Sequence, residues 1–505
     1  MESADRLAIA RLVHRVGFGP KPGQFGKMLK QGFKASAQQL LKAGLPDYGD
    51  VKTAIGVADL GAQPKPNSEA LAPYKVAKQA QLRNMSLWWL DQMVVQEHPF
   101  VERMTWFWHG HWATSFSKVD EPVVMFDHIA RLRKHAIGDF SQMCEEMILD
   151  GALIYWLDGQ LNTASSPNEN LSRELLELFT LGVNQYSEND VKEAAKALSG
   201  LRVVKNSGLV TKEPRRSYFG TSTILGTTGN FESATLARHL SMTAACQSFI
   251  PERLTYRFIS PASSMMSNPK KSAARTKSSA HIIREAFGTR QILPTMKSLV
   301  FSDSFKDPIN SQVKSPVEWA VSVFRALQIT PSTYSQPDRL LMLLDALGQR
   351  PFFPPSVGGW PADEAWLSVA SSQNLIQAAQ AFVSEGDLSP LNKVAKQWLS
   401  KNESMLSQIG WVSPSGVIEP GLHLMEHFAI RRDLLSWPSA VLNTWSVLKR
   451  KNEKYLPQKF HQIIKCKRGC SCTLIVNLRV CSRRGPTTFA RWHTNSCDCH
   501  TQRRQ

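Results

Sequence analysis

A predominantly α-helical body with a small hairpin insert is the fold class the sequence predicts, and three observations predict it. Apolar residues recur at three- and four-residue spacings through most of residues 5–435. These periodic stretches are closed by glycine and proline stops, and strand-like patterning is confined to one short region near residues 201–212. Third, Ser166–Gly182 has both ends of a helix written into it. Ser166 is placed to cap, Pro167 fits the first helical position, Glu169 falls where a capping box wants its acid, and Gly182 is the stop.

Taken in order, residues 5–19 predict a short helix halted by Gly17, and residues 24–43 one or two more ending at Gly44. Residues 44–73 lack periodicity and read as a long loop. Lys75–His98 is a strong helix carrying Leu82, Met85, Trp89 and Met93, and Pro99 separates it from Phe100–Trp108. Val123–His135 and Phe140–Leu149 follow, joined through Gly138. After the helix at 166–182, Ser187 and Asp190 form a capping pair for a partner helix that stops at Gly200, and the short connection favours an antiparallel pair. Leu201–Val204, an Asn206-Ser-Gly turn and Leu209–Thr211 predict the hairpin, with a Gly/Thr-rich loop after it. Helices resume over Phe231–Phe258, His281–Leu299, Ser315–Leu327, Asp338–Leu347, Trp366–Ser384 and about Leu422–Leu435. Ser260–Ser279 has no apolar repeat and reads as an exposed loop. Pro351–Pro361 is too rich in Pro and Gly for regular structure and must pack through its aromatics.

The chain has 505 residues and a net charge of +18, which looks like a nucleic-acid signature until it is located. Lys449–Gln505 holds 14 Lys+Arg against two acids, a net +12, leaving +6 for the rest. The body gives no basis for nucleic-acid binding. Six of the eight cysteines also lie beyond residue 465, and Cys144 and Cys246 give the body no disulfide framework. Residues 1–445 are therefore read as the helical body, and 446–505 as a basic, Cys-containing tail that is either disordered or a frameshifted gene end. The tail cysteines could serve zinc, but their spacings fit no standard finger. No run of 18 apolar residues predicts a transmembrane segment, and the N-terminus lacks the charged and apolar regions of a signal peptide.

Familiar catalytic signatures are absent: no phosphate loop, dinucleotide fingerprint, nucleophile elbow or His-Glu-x-x-His. Two candidate clusters remain. On the helix at 166–182, Glu169, Asn170, Arg173 and Glu177 share an arc of about 100° with Glu174 on its flank, opposite an apolar face of Leu171, Leu175, Leu178 and Phe179. Either this is a surface ion ladder, or it is one wall of a site that Asp158, His109 and His111 complete around a divalent metal. His109 and His111 diverge by about 200° on a continuous helix, so they share an ion only if the helix ends between them. Otherwise they belong to a Trp/Phe-rich layer. Arg131, Arg133, Lys134 and His135 read as a solvated basic edge.

Several stretches together resemble one bacterial family of unknown function, domain of unknown function 1800. They are Leu12–Pro20 (Leu-Val-His-Arg-Val-Gly-Phe-Gly-Pro), Met104–Trp112 (Met-Thr-Trp-Phe-Trp-His-Gly-His-Trp), Tyr155–Asp158, Asn168–Gly182, Val313–Trp319 and Pro354–Pro361. The resemblance covers roughly residues 5–380, more loosely to 440. It implies a mostly helical fold with no established activity and members that are often exported. It also implies genes that neighbour those of a second family with a sulfatase- or phosphatase-like fold. The sequence departs from the family where Glu213–Phe219 replaces a His- and Asp-containing stretch, which weakens any activity needing those residues. The leading expectation is a partner component that acts with a second protein. The alternative is a metal-dependent enzyme, such as a hydrolase, with a His/Glu site between helices.

Overall fold

The computed structural model describes residues 3–42, 50–261, 277–307, 310, 312–366, 368–386, 460–465 and 471–476. The chain divides into two units, Met1–Ser436 and Trp437–Gln505. In the second, Phe460–Lys465 pairs antiparallel with Ser471–Val476; the rest of the tail, the predicted helix at 422–435 and most of the predicted loop at 260–279 lie outside the described residues.

The first unit is helical, as the periodicity requires. Its opening elements are α1 (Ser3–Arg15), α2 (Gln24–Leu40, broken at Gly32), α3 (Val51–Ala54), α4 (Leu71–Val95), α5 (Phe100–His111), α6 (Phe116–Val119) and α7 (Pro122–His135). They are followed by α8 (Phe140–Met147), α9 (Gly151–Trp156), α10 (Asn170–Glu174) and α11 (Glu188–Ala197). Two hairpins come next: β1 (Leu201–Val204) with β2 (Leu209–Lys212), and β3 (Ser222–Ile224) with β4 (Thr227–Gly229). Then come α12 (Ser233–Ser241), α13 (Ala244–Phe258), α14 (Lys277–Ala286), α15 (Ile292–Phe301) and α16 (Asp303–Lys306). The last described elements of the first unit are α17 (Pro316–Leu327), α18 (Pro337–Ala346) and α19 (Val369–Val383).

Local chemistry explains where the elements begin and end. The Ser187–Asp190 capping box forms as the sequence requires, and Asp190 also accepts the Leu225 N–H at 2.7 Å, tying the tip of the β3–β4 hairpin to the start of α11. That hairpin occupies the stretch expected as a loop. The helical stretch expected over 231–258 holds two helices, because the Thr243 hydroxyl accepts the Cys246 N–H and starts the second. The helix expected over 281–299 is also broken, at Arg290, which takes a left-handed conformation (φ 61°). The Arg290 guanidinium donates to Ser241 O (2.6 Å) and Thr243 O (3.1 Å), so the two breaks hold each other.

The helix at 166–182 needs the largest correction. Ser166 does not cap it. Asn162 Oδ1 accepts the Asn168 N–H and Asn168 Oδ1 accepts the Asn170 N–H, both at 3.0 Å, so the turn is held outside the helix and α10 begins at Asn170. From Leu175 to Thr180 the helix widens to a π turn: Leu181 N–H bonds Leu176 O, and the Thr180 hydroxyl donates to Leu175 O at 2.6 Å. Gly182 does stop it, at φ 89°.

Buried arginines knit distant elements together by donating to main-chain oxygens. Arg11 reaches Lys306 O, Arg15 reaches Asn310 O, and Arg325 donates to Gly19 O, Val94 O and Gln96 O. Arg325 thereby satisfies carbonyls left over at the C-terminal end of α4, where a cation is also favoured by the helix dipole.

Candidate functional site

Helix α5 runs through the middle of the aromatic core. Continuing without a break to His111, it sends His109 and His111 to different sides, as the i, i+2 relation demands. His109 is fully buried in a cage of Trp89, Trp106, Phe352 and Trp360, whose ring centroids lie 5.4, 6.1, 5.9 and 5.1 Å away. The Pro351–Pro361 segment supplies two of these rings, so it packs through its aromatics as expected. It approaches α5 so closely that a Cβ on Gly359 would come within 2.1 Å of Gly110 O. Among the described residues neither ring nitrogen of His109 has a partner, and burial, followed by the neighbouring His128, pushes its pKa well down.

His128, on α7, lies 6.0 Å from His109 between ring centroids. Its Nδ1 faces Asp150 Oδ1 at 2.8 Å, and its Nε2 has no partner. Asp150 caps α9 by accepting the Leu153 N–H at 2.9 Å. Burial pushes its carboxyl up, but His128, Arg131 and that N–H outweigh burial and leave the pKa below the usual range. Asp150 also lines a groove of about 590 Å³ between the Val124, Asp127 and Arg131 face of α7 and the Ser207–Val210 end of the β1–β2 hairpin. The hairpin sits tightly there: a Cβ on Gly151 would fall 2.4 Å from Gly208 O. Asp127 takes Lys52 at 2.7 Å, and Asn206 at the hairpin tip donates to Asp59 at 2.9 Å. An Asp–His–His series therefore leads from the groove to the aromatic cage. His128 and Asp150 were not singled out in the sequence, where the only local signal is an Asp-Gly pair opening a short helix.

His111 serves the π element. Its Nε2 donates to Phe179 O at 3.0 Å, satisfying a carbonyl at the end of that helix. Burial and Arg253 lower its pKa to about 3, against the Phe179 carbonyl, so the ring is neutral, with a bare Nδ1.

The carboxylates of the 166–182 region lie on the other side of that helix from His111's contact. Arg173 bridges Glu169 (3.4 Å) and Glu188 (2.6 Å), and Tyr186 donates to Glu177; burial, then that hydrogen bond and the Glu177 charge, push the phenol up to about 12. Burial and then Glu177 raise the Glu174 carboxyl. Asn170 donates to Leu157 O at 3.1 Å, and Asp158 pairs with Lys118 at 2.8 Å. The structure thus gathers Glu169, Asn170, Arg173, Glu174 and Glu177 on one element. It pairs no carboxylate with His109 or His111, and among the described residues no group of three or more His, Cys, Asp or Glu is placed to hold a metal ion. The basic edge at 131–135 is also not uniformly solvated. Arg133 is buried and makes a two-pronged bond to Glu102 (2.8 and 2.9 Å), a pairing across 31 residues that no local pattern announces.

Fold and site define a mostly helical protein built around a histidine-containing aromatic layer, with no helix among its described residues long and apolar enough to cross a membrane. The chain belongs to the family described as Protein of unknown function (DUF1800), whose family model matches residues 11–457. No curated protein and no solved structure matches the chain.

Proposed function

We propose that this protein is a partner component that acts with a second protein of sulfatase- or phosphatase-like fold, at or beyond the cell envelope, and that the groove between α7 and the β1–β2 hairpin receives that partner. The observation that carries this reading is the hairpin itself. It walls a groove of about 590 Å³ while holding the cross-strand pair Val204 and Leu209 45% and 59% exposed. Exposed apolar side chains beside a recess of mixed lining, with Asp127, Arg131 and Asp150 among Val124, Leu149 and Val210, suit a protein surface better than a small substrate. Of the groups first suspected of chemistry, Glu169, Asn170, Arg173 and Glu177 are engaged in ion pairs and hydrogen bonds with their own neighbours. Burying Leu209 in an interface is worth about 1.5–3 kcal/mol, so Leu209→Asp should weaken the complex by about tenfold or more. Titrating the purified chain with the product of the neighbouring gene tests this by calorimetry. Absence of a complex at tens of micromolar, or equal affinity of the variant, would overturn it.

The second reading, a metal-dependent enzyme, is favoured by one observation: His109 and the Nε2 of His128 are buried without partners among the described residues. On that reading His109 and His111 remain the candidate ligands, and Asp158, Glu169, Asn170, Arg173, Glu174 and Glu177 the candidate catalytic groups. Stoichiometric metal in the purified protein, with a lower melting temperature after chelation, would replace the partner reading with this one.

A further inference from the structure

The seam between α5 and α13 carries more positive charge than its surroundings neutralise. Phe249, Arg253 and Arg257 follow one another at i, i+4 and i+8 on α13, and Arg103, Phe107 and His111 do the same on α5. The two rows meet antiparallel. The His111 ring lies 6.3 Å from Phe249, Phe107 lies 5.6 Å from Phe258, and the Arg103 guanidinium stands 4.7 Å over the Phe258 ring. Three guanidiniums therefore line one seam.

Their compensation is uneven. Arg103 pairs with Glu318 at 2.5 Å, and Arg257 donates to Trp360 O (2.7 Å) and Pro361 O (3.4 Å) while also feeling Glu318. Among the described residues, Arg253 meets neither a carboxylate nor a carbonyl. Its Nε is shut off from solvent without a partner, and the charged or titratable groups acting on it are Arg257, Tyr256 and the neutral His111. Elsewhere Arg11, Arg15, Arg290 and Arg325 each donate to main-chain oxygens. A guanidinium whose Nε is cut off from water and meets no acceptor favours any ligand that supplies one. Arg253 and Arg257 both retain partial exposure, which leaves the seam a path to solvent.

We propose that this seam is a binding site for a small oxyanion, a phosphate, sulfate or carboxylate group, held by the fork of Arg253 and shared with Arg257. The planar guanidinium presents parallel donors at the spacing such an oxygen pair accepts, and one bound anion would offset the excess of three arginines over one glutamate. The site is separate from the groove of the partner reading and does not depend on it.

The test titrates the full-length protein, purified in chloride, with inorganic phosphate, sodium sulfate and sodium acetate at matched ionic strength. One saturable site per chain is expected for at least one of the three, with a melting temperature that climbs as that anion is added; the arm that responds identifies the oxyanion class. Arg253→Met should abolish both signals. Arg253→Lys, which keeps the charge and loses the fork, should fold and bind about tenfold more weakly. Three outcomes would each overturn the site. One is a wild-type melting temperature that follows ionic strength alone in all three salts. Another is unchanged affinity in Arg253→Lys. The third is an Arg253→Met protein more stable than wild type in every buffer, the mark of a guanidinium that is merely stranded.

Discussion

At the scale of single residues, the histidines tie stability to pH. His111 titrates at about 3 in the folded protein, because burial and Arg253 oppose its charge, against about 6.5 in an unfolded chain. A folded value depressed below the unfolded one means that the unfolded chain takes up a proton here while the native protein does not. The contribution of this ring is therefore fully present above about pH 6.5 and is lost as pH falls toward 3. Within that window one such group makes stability fall by about 1.4 kcal/mol per pH unit. His111→Gln keeps a donor for Phe179 O and removes the titration. Urea unfolding at a series of pH values from 6 down to 4 should show the slope of stability against pH reduced by about one proton, together with a packing loss of about 1–2 kcal/mol at neutral pH. An unchanged slope would mean that His111 is protonated in the folded state, and the neutral ring drawn against Phe179 would be incorrect. Asp150 has a related role. Its carboxyl is held below the usual range, so its stabilising contact with His128 is lost only at the acid end.

At the scale of elements, the fold depends on an irregular segment wedged against a helix. Gly359 sits at φ 79°, and any Cβ there would collide with Gly110 O at 2.1 Å. Gly359→Ala combines that clash with a left-handed backbone, and should cost about 3 kcal/mol or more. A drop in melting temperature, with altered fluorescence from the Trp106–Trp360 stack (4.8 Å between centroids), would register it. Local sequence signals predicted what is locally determined: the Ser187–Asp190 capping box, the Gly182 and Gly200 stops, the β1–β2 hairpin and the aromatic anchoring of residues 351–361. They failed where a distant side chain decides. The break at Arg290 is stabilised by carbonyls some 50 residues earlier in the chain. The late start of α10 depends on Asn162, which also donates to Ala195 O at 2.7 Å. The π turn has no signature beyond a threonine at the right place. For the same reason the histidine layer was only half legible: His109 and His111 stand out as a pair, whereas His128 and Asp150 acquire their meaning from being 2.8 Å apart in space and 22 residues apart in sequence.

At the scale of the whole molecule, charge and family match divide the chain at slightly different places. The basic excess begins at Lys449, the sequence pattern ends the body at 445, and the family match runs to residue 457. Two truncations separate these boundaries. If the cooperative unit ends by 445, chains stopped at 445 and at 457 should both melt within about 1 °C of the full protein, because no buried contact is lost. If residues 446–457 complete the fold, as the extent of the family match permits, only the shorter chain should lose stability. Charge provides an independent reading of the same pair. Lys449–Gln505 carries a net +12, so the chain stopped at 445 keeps +6 and the one stopped at 457, which retains Lys449, Arg450, Lys451 and Lys454 against Glu453, keeps +9; both should elute earlier from a cation exchanger than the full chain, the shorter one first. A body that still bound the exchanger as tightly as the full chain would place the basic surface among its helices, and the exclusion of nucleic acid from the body would then fail.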